Sequence, residues 1–136
     1  MSLTNYISAA RPKTLPLAVA GPLMAIAIAV FEKGSISILV SFLAVLTAIL
    51  LQVLSNFAND LGDFQKGTDQ AANRMDRALT SGKVSEKNMK WAIAYTTLFS
   101  FISGVCLLVI SIDNLQEGLM LFAIGLVAIV AAITYT

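Results

Sequence analysis

The segment Leu54-Ser55-Asn56-Phe57-Ala58-Asn59-Asp60-Leu61-Gly62-Asp63-Phe64-Gln65-Lys66-Gly67-Thr68-Asp69 decides how this chain is read. Residues 36–54 carry no formal charge, and directly behind them come two asparagines and three aspartates. On a helix, Asn56, Asp60, Asp63 and Gly67 recur at steps of four, three and four and share one face. Asn59 and Asp63 share an adjoining face. A carboxylate at the end of a membrane helix is costly unless it meets water, a cation or a metal. Several on one side call for something positive held there. A hard cation such as Mg²⁺ takes one or two carboxylates together with a ligand's phosphates.

Composition places that face beside a bilayer. The chain is 57% hydrophobic and 12% charged, with a mean hydropathy of +0.81, well above soluble domains. A net charge of +1 gives no global basic field, so nucleic acid is not an expected partner. Cys106 is the single cysteine and forms no intrachain disulfide. There is no histidine, which removes His-based catalysis, haem ligation and most zinc sites. The N-terminus lacks the pattern of a cleavable signal.

The expected fold class is all-α, a multi-spanning transmembrane bundle forming a single membrane domain over residues 1–136. An amphipathic lead-in helix over 3–10 is expected at the interface. Spans follow at about 15–31, 36–58, 91–112 and 119–136, with a polar loop over 59–90. Pro16 and Pro22 predict a kink in the first span. Trp91 and Tyr95 are placed as interface anchors. The chain ends at Ile133-Thr134-Tyr135-Thr136, within an apolar run and without a basic flank. This reads as the first part of a longer protein.

Orientation comes from the basic residues. Arg11, Lys13, Lys66, Arg74, Arg77, Lys83, Lys87 and Lys90 fall on the N-terminal arm or the 59–90 loop, and only Lys33 lies opposite. Two spans separate arm from loop, so both face one side, and the positive-inside rule makes that side cytoplasmic.

The loop has two readings. In the plain one it is a solvated linker, which suits Lys83, Glu86, Lys87 and Lys90, with Glu86 and Lys90 spaced for a weak helix pair. The sharper one applies to Asn59, Asp60, Asp63 and Asp69: a metal–diphosphate site. There acids hold Mg²⁺, Mg²⁺ neutralises phosphate oxygens, and Arg74 or Arg77 adds forked donors. Gly67 is expected to end the helix in a left-handed cap, which lets Asp69 fold back towards Asp63.

Asn59-x-x-x-Asp63-x-x-x-Gly67-x-Asp69 resembles the first aspartate-rich motif of the UbiA-type intramembrane prenyltransferases. The general pattern there has aspartate where Gly67 stands. The Gly-x-Asp form is similar to the branch that prenylates 1,4-dihydroxy-2-naphthoate in menaquinone synthesis. Arg77-Ala78-Leu79-Thr80-Ser81-Gly82 resembles the family's Arg-Pro-Leu-Pro-Ser-Gly segment without its prolines. Arg11-Pro12-Lys13-Thr14-Leu15-Pro16 resembles the branch's opening arm, and Tyr135-Thr136 a segment near its middle.

The resemblance implies a bundle of about nine membrane helices around a central cavity, one of the two architectures a bilayer tolerates. A second aspartate-rich motif is expected in a later loop; these 136 residues lack it, so the isolated chain is expected to be inactive. The implied reaction takes a polyprenyl diphosphate lying in the bilayer. Asp63, Asp69 and Asp60 act catalytically, holding Mg²⁺ with Asn59 against the leaving diphosphate. The naphthoate ring then captures the allylic cation and loses its carboxylate. Arg74, Arg77, Lys66 and Arg11 are the diphosphate contacts. Asn56 supports the site from one turn below or makes an interhelical hydrogen bond, and Gly67 shapes the cap. A bacterial inner membrane is the implied location. Other aromatic acceptors of the same family stay open. Two readings from other classes compete: a cation-binding or transport module, and a purely structural bundle.

Overall fold

The computed structural model describes residues 2–71 and 77–134. They are mostly helical, with no strand among the described residues. A short helix α1 (Leu3–Ala9) is followed by a 3₁₀ turn (Pro12–Thr14) and then α2 (Leu15–Lys33). The long helix α3 (Ile38–Gln65) leads into a single turn α4 (Thr68–Ala71). The last two helices are α5 (Glu86–Ser111) and α6 (Leu115–Thr134). Four helical segments are long and apolar enough to cross a membrane. Their outer faces carry Leu17, Phe31, Ile38, Val109 and Val127 in exposed positions, as lipid contact requires.

Several helix boundaries differ from the expected spans. α3 runs beyond the expected span, past Ala58 to Gln65, just short of Gly67, the residue expected to close the helix. Hydropathy falls after Leu54, but Leu54, Phe57, Ala58, Leu61 and Phe64 keep the spacing of one helical stripe. That stripe packs against the loop side, where Ala9, Phe57, Ala78, Leu79, Val84 and Met89 form the buried core, with Leu61 and Phe64 against it. α5 begins at Glu86 rather than Trp91, capped by Ser85, whose hydroxyl accepts from the Asn88 amide at 3.4 Å. α6 begins at Leu115 rather than 119. The proline at Pro22 lies inside a continuous α2; lipid offers the freed carbonyl no partner, and membrane helices tolerate such a proline through neighbouring helices or local adjustment of the backbone.

The core therefore sits at one end of the bundle, not at its middle. A helix of the length of α3, 28 residues, is roughly 42 Å long at 1.5 Å per residue. The hydrocarbon core is about 30 Å thick. The polar C-terminal end of α3 thus projects beyond it, and the arm and the 77–85 turn fold over that projection. Asn5 donates to the Lys83 carbonyl at 3.0 Å, so arm and loop share one side, as the placement of basic residues requires.

α3 is the axis of the assembly, packing most extensively on α5 and also on α2 and α6. Thr47 and Ser103 hydroxyls meet at 2.8 Å across the α3–α5 contact. Thr96 and Ser100 are buried in α5 and return their hydroxyls to Ala92 and Thr96 carbonyls at 2.8 Å. Small residues let the two backbones approach in the absence of a hydrophobic drive between lipid-solvated helices.

Candidate functional site

Asp60 and Asp63 leave the projecting end of α3 on the face that the spacing predicts. Gly67 then closes the helix at φ 71, its amide donating to the Phe64 carbonyl at 3.1 Å while Lys66 donates to Gly62 at 2.9 Å. A left-handed residue here is natural for glycine. The turn that follows carries Asp69 back to full burial, 0% exposed. The fold-back towards Asp63 is present, but the two carboxylates meet through a cation.

That cation is Arg77. Its guanidinium lies 3.5 Å from Asp60, 3.9 Å from Asp63 and 3.9 Å from Asp69. Arg77 is held by the tight turn behind it: the Ser81 amide and hydroxyl both donate to the Arg77 carbonyl, at 3.0 and 2.7 Å. Gly82, at φ 70, turns the chain so that Val84 donates to Ala78 at 3.0 Å. The Arg-Ala-Leu-Thr-Ser-Gly segment is thus a device for presenting one arginine.

A second arginine approaches from the arm. Arg11 Nη2 stands 3.9 Å from Asp60 Oδ1. Arg11 adopts φ 50, a left-handed conformation and the only positive φ outside glycine among the described residues. For an L-residue this costs about 1–2 kcal/mol, so surrounding bonds must hold it. Asn56 supplies them. It is 5% exposed, and its side-chain amide donates to the Ala10 carbonyl at 2.7 Å and to Thr14 Oγ1 at 3.0 Å. Gln52 donates to Asn56 Oδ1 at 3.3 Å. The Asn56 amide thus bonds between elements, from α3 to the arm.

The ion pairs are long. Asp60 is buried, yet neither of its oxygens closes a hydrogen bond among the described residues; the amides of Ala78 and Leu79 lie close enough to interact but not at bonding geometry. A carboxylate desolvated this far retains strong affinity for a better-placed cation. Beside it opens a cavity of about 660 Å³, lined by Arg11, Lys13, Thr14, Asp60, Arg77 and Ala78 among others. Cationic side chains outnumber acids on its wall, which suits an anion, while Asp63 and Asp69 connect to it through Arg77.

Among the described residues no three acids converge into a ready-made metal cage. Mg²⁺ does not need one, since water and ligand phosphates complete its octahedron. The hard oxygens of Asp60 and Asp63 fit it in type, with Asp60 unbonded and Asp63 partly open. Asn59 is half-buried on α3. Lys66 is exposed at the helix end and does not line the cavity. Arg74 lies outside the described residues. Lys13 and Thr14 were missed as site residues by the sequence reading. The signal was available: a buried asparagine such as Asn56 needs partners, and the arm is the polar segment returning to its side.

Elsewhere the polar loop behaves as a solvated surface. Glu86 and Lys90 pair at 2.8 Å, and Gln65 donates to Glu86 at 2.8 Å. Trp91 and Tyr95 stack with centroids 5.8 Å apart in exposed positions, as interface anchors do.

Residues 16–136 match the UbiA prenyltransferase family. Over 98% of its length the chain is 45% identical to a 1,4-dihydroxy-2-naphthoate octaprenyltransferase of Haemophilus influenzae, of which it covers 44%. Over 96% of its length it is 38% identical to a protein of the same name from Escherichia coli, of which it covers 42%. The chain thus spans less than half the length of these curated relatives. No solved structure matches it closely enough for comparison.

Proposed function

The chain belongs to the UbiA prenyltransferase family, and on that footing we propose that the complete protein transfers a polyprenyl group from polyprenyl diphosphate to 1,4-dihydroxy-2-naphthoate, a step of menaquinone synthesis. The acceptor is taken from the names of the two relatives. The observation that carries the rest is the convergence of Asp60, Asp63 and Asp69 on Arg77, beside Arg11 and a cavity at the membrane face.

The division of labour follows from charge and position. The isoprenoid tail lies among the apolar helices, and its diphosphate reaches the projecting end of α3. Arg77 and Arg11 offer planar forks of N–H donors that match phosphate oxygens. Asp60, Asp63 and Asp69, with Asn59, would hold Mg²⁺, which when bound neutralises charge on the departing diphosphate. Arg77 exchanges its carboxylate partners for phosphate as the ligand enters. The allylic carbon–oxygen bond breaks and the diphosphate departs with its electron pair; the ring carbon that bears the carboxylate bonds to the allylic cation, and the carbon–carboxylate bond then breaks, its electron pair restoring the aromatic ring as carbon dioxide leaves. The membrane is a bacterial inner membrane, with the arm and motif loop facing the cytoplasm.

The test is prenyl transfer by the complete protein, read by mass spectrometry of the lipid product. Octaprenyl diphosphate is the donor, and 1,4-dihydroxy-2-naphthoate is compared with 4-hydroxybenzoate. The naphthoate product is expected, and Asp63→Ala and Asp69→Ala are expected to lower the rate by about 10²–10³, as loss of a preorganised charge does. Unchanged transfer in both variants would overturn the assignment of roles. Preference for hydroxybenzoate would overturn the acceptor.

A further inference from the structure

Arg11 reaches the acid corner from an arm of unusual shape, held by local bonds, the Arg11 amide to the Ser8 carbonyl at 3.1 Å and the Thr14 amide to the Arg11 carbonyl at 2.9 Å, and by bonds from Asn56 of α3. Both hydrogens of the Asn56 amide are used on the arm, one on the Ala10 carbonyl and one on Thr14 Oγ1. The Thr14 hydroxyl in turn donates to the Arg11 carbonyl at 2.9 Å. The path from α3 to Arg11 is therefore continuous: Asn56 to Thr14 to the Arg11 backbone, with the left-handed φ of Arg11 enclosed between two anchored neighbours. The carbonyl of Ala10 accepts only, so it also fixes which way the amide points. Asn56 is one turn from Asp60 on the same helix face, which sets anchor and target in register. It is buried, and its side-chain hydrogen bonds run to Ala10, Thr14 and Gln52.

We propose that Asn56 is a positioning residue that holds Arg11 in its left-handed conformation, so that the guanidinium faces a diphosphate at Asp60. The N-terminal arm is then a fixed wall of the binding site and not only a topological anchor. The inference rests on the diphosphate reading above. Asn56 thus acts on ligand binding through Arg11, by way of Thr14.

The experiment is calorimetric titration of the complete protein with inorganic pyrophosphate in the presence of Mg²⁺. The variants are Asn56→Leu, Arg11→Gln, their combination, and Thr14→Val alone and with Arg11→Gln. Asn56→Leu is expected to weaken binding about fivefold or more, the scale of a lost hydrogen bond or two, and Thr14→Val to weaken it less. Neither is expected to add to the loss already caused by Arg11→Gln. Effects that add in the Arg11→Gln background, or an Asn56→Leu protein that binds as tightly as wild type, overturn the proposal while leaving the diphosphate reading intact. Wild-type protein that takes up no pyrophosphate overturns both. If Asn56→Leu does not fold, Thr14→Val decides: unchanged binding, or a loss that persists without Arg11, overturns the proposal. Trypsin cleavage after the exposed Lys13 is a readout independent of ligand, and it is expected to accelerate in Asn56→Leu as the arm is released.

Discussion

Replacing Arg77 with methionine removes the charge that three buried or half-buried carboxylates share. The contacts are 3.5–3.9 Å, each worth roughly 4 kcal/mol of attraction at an effective dielectric of about 20. Desolvation of the guanidinium and repulsion among the acids oppose that gain, and the pairs are too long to be hydrogen bonds. The measured penalty for leaving a buried charge without its partner, about 3–5 kcal/mol, is the better guide. Arg11 still faces Asp60, so the lower end, about 3 kcal/mol, is expected. Added metal is expected to narrow the deficit. A divalent cation at a hundred times its dissociation constant contributes about 2.7 kcal/mol, and it binds the variant without displacing Arg77. Arg77→Met should therefore be clearly less stable than wild type in EDTA, and gain more from Mg²⁺ than wild type does. Thermal unfolding of the complete protein in detergent, with EDTA or Mg²⁺, measures both. A variant within about 0.5 kcal/mol of wild type in EDTA, the range of an ordinary surface change, would refute the reasoning. So would a Mg²⁺ response no larger than that of wild type.

Gly67→Ala tests the helix stop. A Cβ there meets nothing within 4 Å, so the expected loss, about 1–2 kcal/mol in chemical unfolding, is purely the left-handed backbone. Thr47→Val removes the 2.8 Å bond to Ser103 at nearly constant volume and should destabilise the α3–α5 contact by about 0.6–1.7 kcal/mol. Orientation is read by single cysteines placed in a cysteine-free version of the complete protein, Cys106→Ser included. Ser85→Cys should label from the cytoplasmic side and Lys33→Cys from the other, and the reverse pattern contradicts the proposed topology.

The four spans were legible because apolar length is a direct consequence of bilayer thickness. Where the reading fell short, two signals overlapped. Hydropathy falls after Leu54 while the apolar stripe continues through Leu61 and Phe64, so the helix outruns the expected span and ends at the Gly67 cap. Acid spacing predicted the shared face of Asp60 and Asp63, and Gly67 announced the cap. The sequence did not show that the acids would close on Arg77, because that contact joins α3 to a turn separated from it by a loop. Nor did it show Arg11 in a left-handed conformation, which depends on Asn56 bonding to Ala10 and Thr14 more than forty positions away. Local pattern predicts faces and caps; which faces meet is a property of packing.

The central claim is that the acid–arginine corner at the end of α3 takes up a metal diphosphate. The most direct measurement is equilibrium binding of a non-hydrolysable polyprenyl diphosphate analogue to the complete protein, with Mg²⁺ and with EDTA, for wild type and for Asp63→Asn combined with Asp69→Asn. Binding that requires Mg²⁺ in wild type and is lost in the double variant is the predicted result. Equal binding by both proteins, or binding indifferent to EDTA, contradicts the account.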